Sequence, residues 1–406
     1  MELLDKLKIL GAAAKYDVCA ATGCGPGGSG RAAVPAPSGV CHSFLPDGRC
    51  VSLFKVLQTN ECLKDCFYCP NRIQRDGPRT AFTPDELAGL FMEFYRRNYV
   101  EGLFLSSGIS RNPSHTMEQI IKTAEILRYK HSYTGYIHLK ILPGAGFEYV
   151  EQAVRLASRV SVNIEAPTTE HLQKLSRLKN FREEIIGRMK WVHGLQQGGS
   201  LPAGQTTQFI VGAAGESDSQ IMKTTVSLYR EIGMRRVYFS AFQPVAGTPL
   251  EERAPTPVLR EHRLYQSDFL LRSYGFSLSD LSFDTGGNLP LDIDPKVNFA
   301  VHNLHLFPME INRASYKELL KVPGIGPTSA RRIVNARRNF RITSLDELKN
   351  IGVVVKRAVP FIQVNGKYRD SYKLVQQLEL WRESHDYPLP DNPLILYEGS
   401  HAVQAP

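Results

Sequence analysis

Cys62-Leu63-Lys64-Asp65-Cys66-Phe67-Tyr68-Cys69 brings three thiols onto eight residues, at a spacing of three and then two. Seven cysteines occur in the chain, at 19, 24, 41, 50, 62, 66 and 69, and none follows. A disulfide framework would spread more widely and prefer an even count, so the crowding points to metal. Three thiolates on a tight loop bind three irons of a cubane cluster and leave the fourth open, whereas a structural zinc site normally supplies four ligands. An open iron is a place for chemistry. Cys19, Cys24, Cys41 and Cys50 are spaced too irregularly for a metal motif. They hold a second metal centre or are small buried residues.

Upstream of the triplet, residues 1–50 form an N-terminal segment whose Gly/Pro/Ala/Ser-rich stretch, 20–39, reads as a loop. From Val51 the chain alternates apolar, β-rich runs with amphipathic helical ones. The strands expected are Val51–Gln58, Leu103–Ser107, Tyr136–Ile141, Arg159–Glu165, Thr206–Gly212 and Val237–Phe242. Between the first two, Thr83 with Glu86 forms a capping box, Pro84 fits the first turn, and Leu87, Leu90, Phe91 and Phe94 share an apolar face. Repeated strand-helix units predict an α/β fold with a parallel sheet. Polar residues recurring on one face favour a barrel over a sheet buried on both sides: His138 and Lys140, Asn163 and Glu165, Thr206 and Gln208, Tyr238 and Ser240. They are expected to line a polar hollow near the carboxyl ends of the strands.

Beyond Asn298 the pattern is helical. Ser315 with Glu318 makes another capping box, Tyr316–Lys321 reads as a helix, and Val322-Pro323-Gly324-Ile325-Gly326-Pro327 breaks it before a helix carrying Ala330, Ile333 and Val334. Ser344 with Glu347 opens a weaker copy, in which Asn350-Ile351-Gly352-Val353-Val354 keeps one glycine and is expected to pack against the first. Charge marks the same region. Residues 311–370 hold 13 basic and 4 acidic side chains, which accounts for the whole net charge of +9 and leaves 36 of each sign elsewhere. A basic module beside a neutral body suggests a polyanion partner. Four parts are expected: the segment 1–50, a barrel over 51–300, a small all-α domain over 305–370, and a tail over 371–406 with one helix, Tyr372–Trp381.

The triplet, with Tyr68 directly before its last cysteine and in the loop after a first strand, resembles the signature of the radical S-adenosylmethionine (SAM) superfamily. That resemblance implies a partial (β/α)6 barrel, matching the six units above. It also implies a 4Fe-4S cluster on Cys62, Cys66 and Cys69 whose free iron chelates SAM. Electron transfer then yields methionine and a 5′-deoxyadenosyl radical. By the same resemblance Ser106-Ser107-Gly108 meets the methionine amino group, although the family's usual glutamate is absent. Asn163 or Glu165 meets the ribose, and Tyr68 and the loop from Gly212 to Glu216 meet the adenine. Gln243 to Pro249 is similar to another recurrent element of the superfamily.

Leu320 to Ile333 resembles the helix-hairpin-helix motif of DNA-binding proteins. Gly324 and Gly326 leave backbone amides accessible, the next helix presents its positive N-terminus at Thr328, and Arg331, Arg332, Arg337 and Arg338 add charge. The expected partner is nucleic acid, in the first instance double-stranded DNA, with protein docking as the alternative. Both modules together are similar to a family of radical SAM proteins described as DNA modification or repair enzymes. That likeness implies a reductant such as flavodoxin or ferredoxin. No apolar run approaches about 20 residues, and charges interrupt the first apolar positions, so a soluble, cytoplasmic protein without a membrane partner is expected. An RNA-modifying enzyme and a non-catalytic iron-sulfur redox sensor bound to nucleic acid are the alternatives.

Overall fold

The computed structural model describes residues 1–14, 39–44, 50–196 and 200–368. One curled sheet contains seven strands in sequence order: β1 (Val40–Phe44), β2 (Cys50–Leu57), β3 (Gly102–Ser106), β4 (Tyr136–Lys140), β5 (Arg159–Ser161), β6 (Gln205–Val211) and β7 (Arg236–Ala241). β2 to β7 are parallel throughout and correspond to the six predicted strands. Parallel neighbours in sequence order, joined by helical crossovers, give the half-barrel expected. β1 is an addition, antiparallel to β2 with Val40 opposite Phe54 and Phe44 opposite Cys50.

The helices are α1 (Leu3–Ala13), α2 (Pro84–Arg96), α3 (Pro113–Glu125), α4 (Phe147–Leu156), α5 (Thr169–Gln173), α6 (Gly187–Gln196), α7 (Asp218–Glu231), α8 (Val258–Ser273), α9 (Pro295–His302), α10 (Tyr316–Lys321), α11 (Pro327–Ala336), α12 (Leu345–Ile351) and α13 (Val355–Ala358). α2 starts as its sequence dictates. The Thr83 hydroxyl accepts the Glu86 N–H, the Glu86 carboxylate accepts the Thr83 N–H, and Pro84 occupies the first turn. Its apolar face is buried through Leu87, Leu90 and Phe91. Phe54 of β2 packs against Phe94 with ring centroids 5.0 Å apart, and Phe91 meets Tyr133 edge-on at 5.0 Å. Each such ring taken out of water contributes roughly 2–3 kcal/mol.

β5 ends at Ser161, short of the predicted Glu165, which takes the left-handed value φ +64 and makes only an isolated parallel bridge to Phe209 of β6. Residues 162–165 nevertheless stay against β6: the Glu165 N–H donates to the Gln208 carbonyl at 2.9 Å and the Ile210 N–H to the Glu165 carbonyl at 2.8 Å.

The chain forms two compact units. The first runs to Glu216 and resumes over Lys223–Glu261; the second takes Ser217–Met222 and the chain from His262. Among its described residues the second is mainly helical, with one short parallel ladder of β8 (Met309–Glu310) and β9 (Ile362–Gln363). The helix predicted over Tyr372–Trp381 lies outside the described residues. Among the described residues no helix is long and apolar enough to cross a membrane.

Candidate cluster site and nucleic-acid interface

The cysteine triplet lies in the loop that leaves β2, and its neighbours fix that loop from several sides. Leu63 N–H donates to the Ile109 carbonyl and Phe67 N–H to the Leu175 carbonyl, both at 2.8 Å. Asp65, between the first two cysteines, accepts from the Ser176 hydroxyl at 2.5 Å and from the amides of Arg177 and Leu178 at 3.0 and 3.4 Å. Burial opposes its charge, but these donors outweigh burial and hold the carboxyl below its ordinary value. Lys64 reaches the Glu184 carboxylate at 3.0 Å and the Leu178 carbonyl at 2.6 Å. Arg79 spreads its guanidinium over four carbonyls, those of Asn60, Asn71, Arg72 and Arg75. A planar five-donor group suits that task.

Cys62, Cys66 and Cys69 all line a single cavity of about 590 Å³. Tyr68 lines it too, as do Ser106, Ser107 and Gly108 at the end of β3 and Asn163 and Glu165 beyond β5. Lys140, Gln208 and Ser240 complete the polar wall, whereas their predicted companions His138, Thr206 and Tyr238 are buried and do not line it. His138 instead stacks on Phe104 with centroids 4.1 Å apart. Gly108 is required sterically, since a Cβ there would overlap the Glu61 carbonyl oxygen beside Cys62. The opening at the carboxyl ends of parallel strands is where such sheets bind ligands.

Lys179 was not anticipated. Its ammonium is 3.3 Å from Glu165 Oε1, each side chain only 7% exposed, and 3.5 Å from the Tyr68 hydroxyl. Burial opposes the charge, and facing Cys66 and Glu165 more than offset it, raising the Lys179 pKa. The other Glu165 oxygen, Oε2, is buried without a hydrogen-bond partner. Burial followed by the neighbouring Cys66 pushes the Cys69 thiol up to about 12, and burial raises Cys66 also. Both thiols therefore carry protons that iron would displace. Among the described residues no three His, Cys, Asp or Glu converge on one ion. A cubane asks for something else, three thiolates on three different irons, and the three cysteines along one wall fit it, with an ammonium and an unpartnered carboxylate oxygen left for a charged ligand alongside.

Gly212 and Glu216 do not line this cavity. The Glu216 carboxylate accepts the amides of Gly212 and Ala214, closing their own loop at a glycine with φ +87. Gln243, Pro244 and Val245 of the next predicted element do line it. Cys41 sits half-buried on β1 and Cys50 begins β2, while Cys19 and Cys24 lie outside the described residues.

In the second unit, α10 and α11 flank the predicted hairpin. Ser315 and Glu318 form the expected capping box at α10. Gly324 takes φ +82, and a Cβ there would come within 2.5 Å of the Val354 carbonyl. The Val354 N–H donates to the Gly324 carbonyl at 2.9 Å, so the weaker copy does pack on the first. Gly326 precedes α11 with no side-chain cap and Pro327 stands at its start, leaving the first-turn amides of Thr328 and Ser329 without a capping group. Arg331 is exposed, but Arg332 is engaged with the Ile351 carbonyl at 3.1 Å. Lys296 of α9 supports the hairpin from beneath. It is 8% exposed, its ammonium lies 4.6 Å from the centroid of Tyr274, and it donates to the Ile325 carbonyl at 2.5 Å.

Residues 56–227 match the Radical SAM superfamily, and residues 308–359 match the Helix-hairpin-helix motif. Over 123 residues the chain is 28% identical to tRNA-2-methylthio-N(6)-dimethylallyladenosine synthase of Bacillus mycoides (strain KBAB4), a match covering 30% of this chain and 23% of that protein. The chain thus spans about a quarter of that relative's length. Among solved structures it is similar to the FeFe-hydrogenase maturase HydG from Carboxydothermus hydrogenoformans, with a TM-score of 0.43, 13% identity and coverage of 53% of this chain and 50% of that one. Methylornithine synthase gives a TM-score of 0.42 and 17% identity, covering 53% of this chain and 60% of that one. Residues 56–227 are a radical SAM domain, of the family that works with a 4Fe-4S cluster and SAM.

Proposed function

Starting from a radical SAM enzyme that also carries a helix-hairpin-helix motif, we propose that it holds nucleic acid, in the first instance duplex DNA, through the hairpin and modifies or repairs a nucleotide in the half-barrel. The observation that carries this reading is that Cys62, Cys66 and Cys69 line one cavity together with Lys179 and Glu165. In it, the three thiolates ligate the cluster, and the Lys179 ammonium takes the SAM carboxylate. The backbone at Ser106, Ser107 and Gly108 takes its amino group, Asn163 and Glu165 its ribose, and Tyr68 its adenine. Gly212 and Glu216 act by shaping the adjoining loop. When bound, cluster and SAM supply a hydrogen-abstracting radical. The buried Ile141, Leu142 and Phe242, which also line the cavity, keep water from that chemistry. A base stacked in a duplex cannot enter such a cavity, so the reaction needs a flipped, damaged or single-stranded nucleotide. The enzyme works in the cytoplasm with a flavodoxin- or ferredoxin-like reductant.

The tRNA-modifying relative favours a second reading, in which the bound polymer is structured RNA. Two assays on anaerobically reconstituted, dithionite-reduced protein test these readings. Formation of 5′-deoxyadenosine from SAM is expected, and its absence would leave only a redox sensor. Competition of duplex DNA against transfer RNA for the hairpin then chooses the polymer.

A further inference from the structure

α11 carries its exposed polar side chains in one stripe. Thr328, Arg331, Asn335 and Arg338 are all exposed and are separated by three, four and three residues, which keeps them on one face of the helical backbone. That backbone continues past Ala336, because the Arg338 N–H donates to the Asn335 carbonyl at 3.2 Å and the Phe340 N–H to the Ala336 carbonyl at 3.1 Å. Other arginines of the segment are already engaged: Arg332 with the Ile351 carbonyl, and Arg337 with the carbonyls of Ile311 and Ala314 at 3.0 and 2.5 Å. Among the described residues Arg331, Arg338 and Arg341 make no such bond.

Beyond the stripe, and off its face, Phe340 lies in the turn that closes the helix with its side chain 54% exposed, flanked in sequence by the exposed Arg338 and Arg341. Leaving a phenylalanine in water forfeits roughly 2 kcal/mol of burial. An exposed aromatic ring within two residues, in sequence, of guanidinium groups that make no hydrogen bond has the chemistry of a stacking platform for a nucleobase, the ring covering the base and the cations meeting phosphates. A continuous duplex offers phosphates but no uncovered base.

We propose that Phe340, with Arg338 and Arg341, stacks an unpaired base of the bound nucleic acid. The module then selects a gap, bulge or single-stranded end about 18 Å along the helix from the hairpin, at 1.5 Å per residue. This deepens the nucleic-acid reading above and rests on it. It also coincides with the need of the half-barrel for a nucleotide outside a stack.

Fluorescence anisotropy with the full chain tests it, using a labelled continuous duplex and the same duplex carrying a short single-stranded gap. The wild-type protein is expected to prefer the gapped probe. Phe340→Ala weakens gapped binding about tenfold and duplex binding by less than about twofold, while Phe340→Trp keeps the preference. Equal losses on both probes, or no loss on the gapped one, would overturn the platform and leave hairpin binding intact. Failure of the wild-type protein to bind either DNA probe overturns the duplex-DNA reading and the platform with it, and failure to bind transfer RNA as well overturns the nucleic-acid reading itself.

Discussion

The half-barrel cavity and the hairpin module use charge in opposite ways. In the cavity, the Lys179–Glu165 pair is almost wholly buried and lies beside three thiols. In the module, cations are either spent on the chain's own structure or displayed outward. Lys321 pairs with Asp280 at 2.8 Å and lies over the rings of Phe276 and Phe299, and Arg357 pairs with Asp294, whereas Arg331 and Arg338 stay exposed. A count of positive residues therefore overstates what the module offers to a polyanion. The cavity depends on a few groups held without freedom; the module depends on backbone shape, with side-chain charge added to it.

Removing a thiol is expected to break the comparison most completely. Cys66→Ala lowers iron from about four per reconstituted chain to near background and abolishes 5′-deoxyadenosine formation, while duplex binding through the second unit persists. Iron assay and anisotropy on one preparation check both halves, and full iron in the variant would end the cluster assignment. Lys179→Met comes next, costing about 3–5 kcal/mol of stability because it strands a buried carboxylate. Adding Glu165→Gln recovers much of that in denaturant unfolding, while SAM binding stays weak; no recovery in the double variant would show that the pair is not the cause.

Gly324→Val strikes the module instead. A β-branched residue at φ +82 with a carbonyl 2.5 Å from its Cβ costs about 3 kcal/mol, read as an early unfolding step with the SAM site intact. An unchanged unfolding curve would contradict the packing of the two hairpins. A further test concerns pH. Burial, with Arg357 adding and Asp294 opposing, pushes Lys296 down to about 7. An unfolded lysine titrates near 10.4, so between about pH 7 and 10.4 the unfolded chain binds more protons and folding stability rises with pH. The penalty is greatest below pH 7. Thermal unfolding across that window should show Lys296→Met with a flatter slope than the parent chain, and equal slopes would remove Lys296 as the source.

Much of the fold was legible because its signals are local. The chelate spacing lies within eight residues, the caps at Thr83 and Ser315 within four, and the polar alternation of β4, β6 and β7 needs only the strand itself. β1 was not legible: five residues after a Gly-rich stretch become a strand only through their register with β2. Lys179 was missed for a similar reason. Nothing around Leu178-Lys179-Asn180 distinguishes it from a surface lysine, and its burial follows from the left-handed turn at Glu165 and the fold of the cysteine loop. Gly212 and Glu216 were recognised as one loop, yet the sequence could not tell that the carboxylate closes onto amides of its own turn.

Asp65 constrains how the cavity can be altered. Its carboxylate joins the thiol-bearing stretch to residues 176–178, over a hundred positions away, and Lys179 follows immediately. For an engineer the two stretches are one cassette. Grafting the triplet into another scaffold, or randomising 176–180 to change what enters, calls for carrying both sides of that knot together.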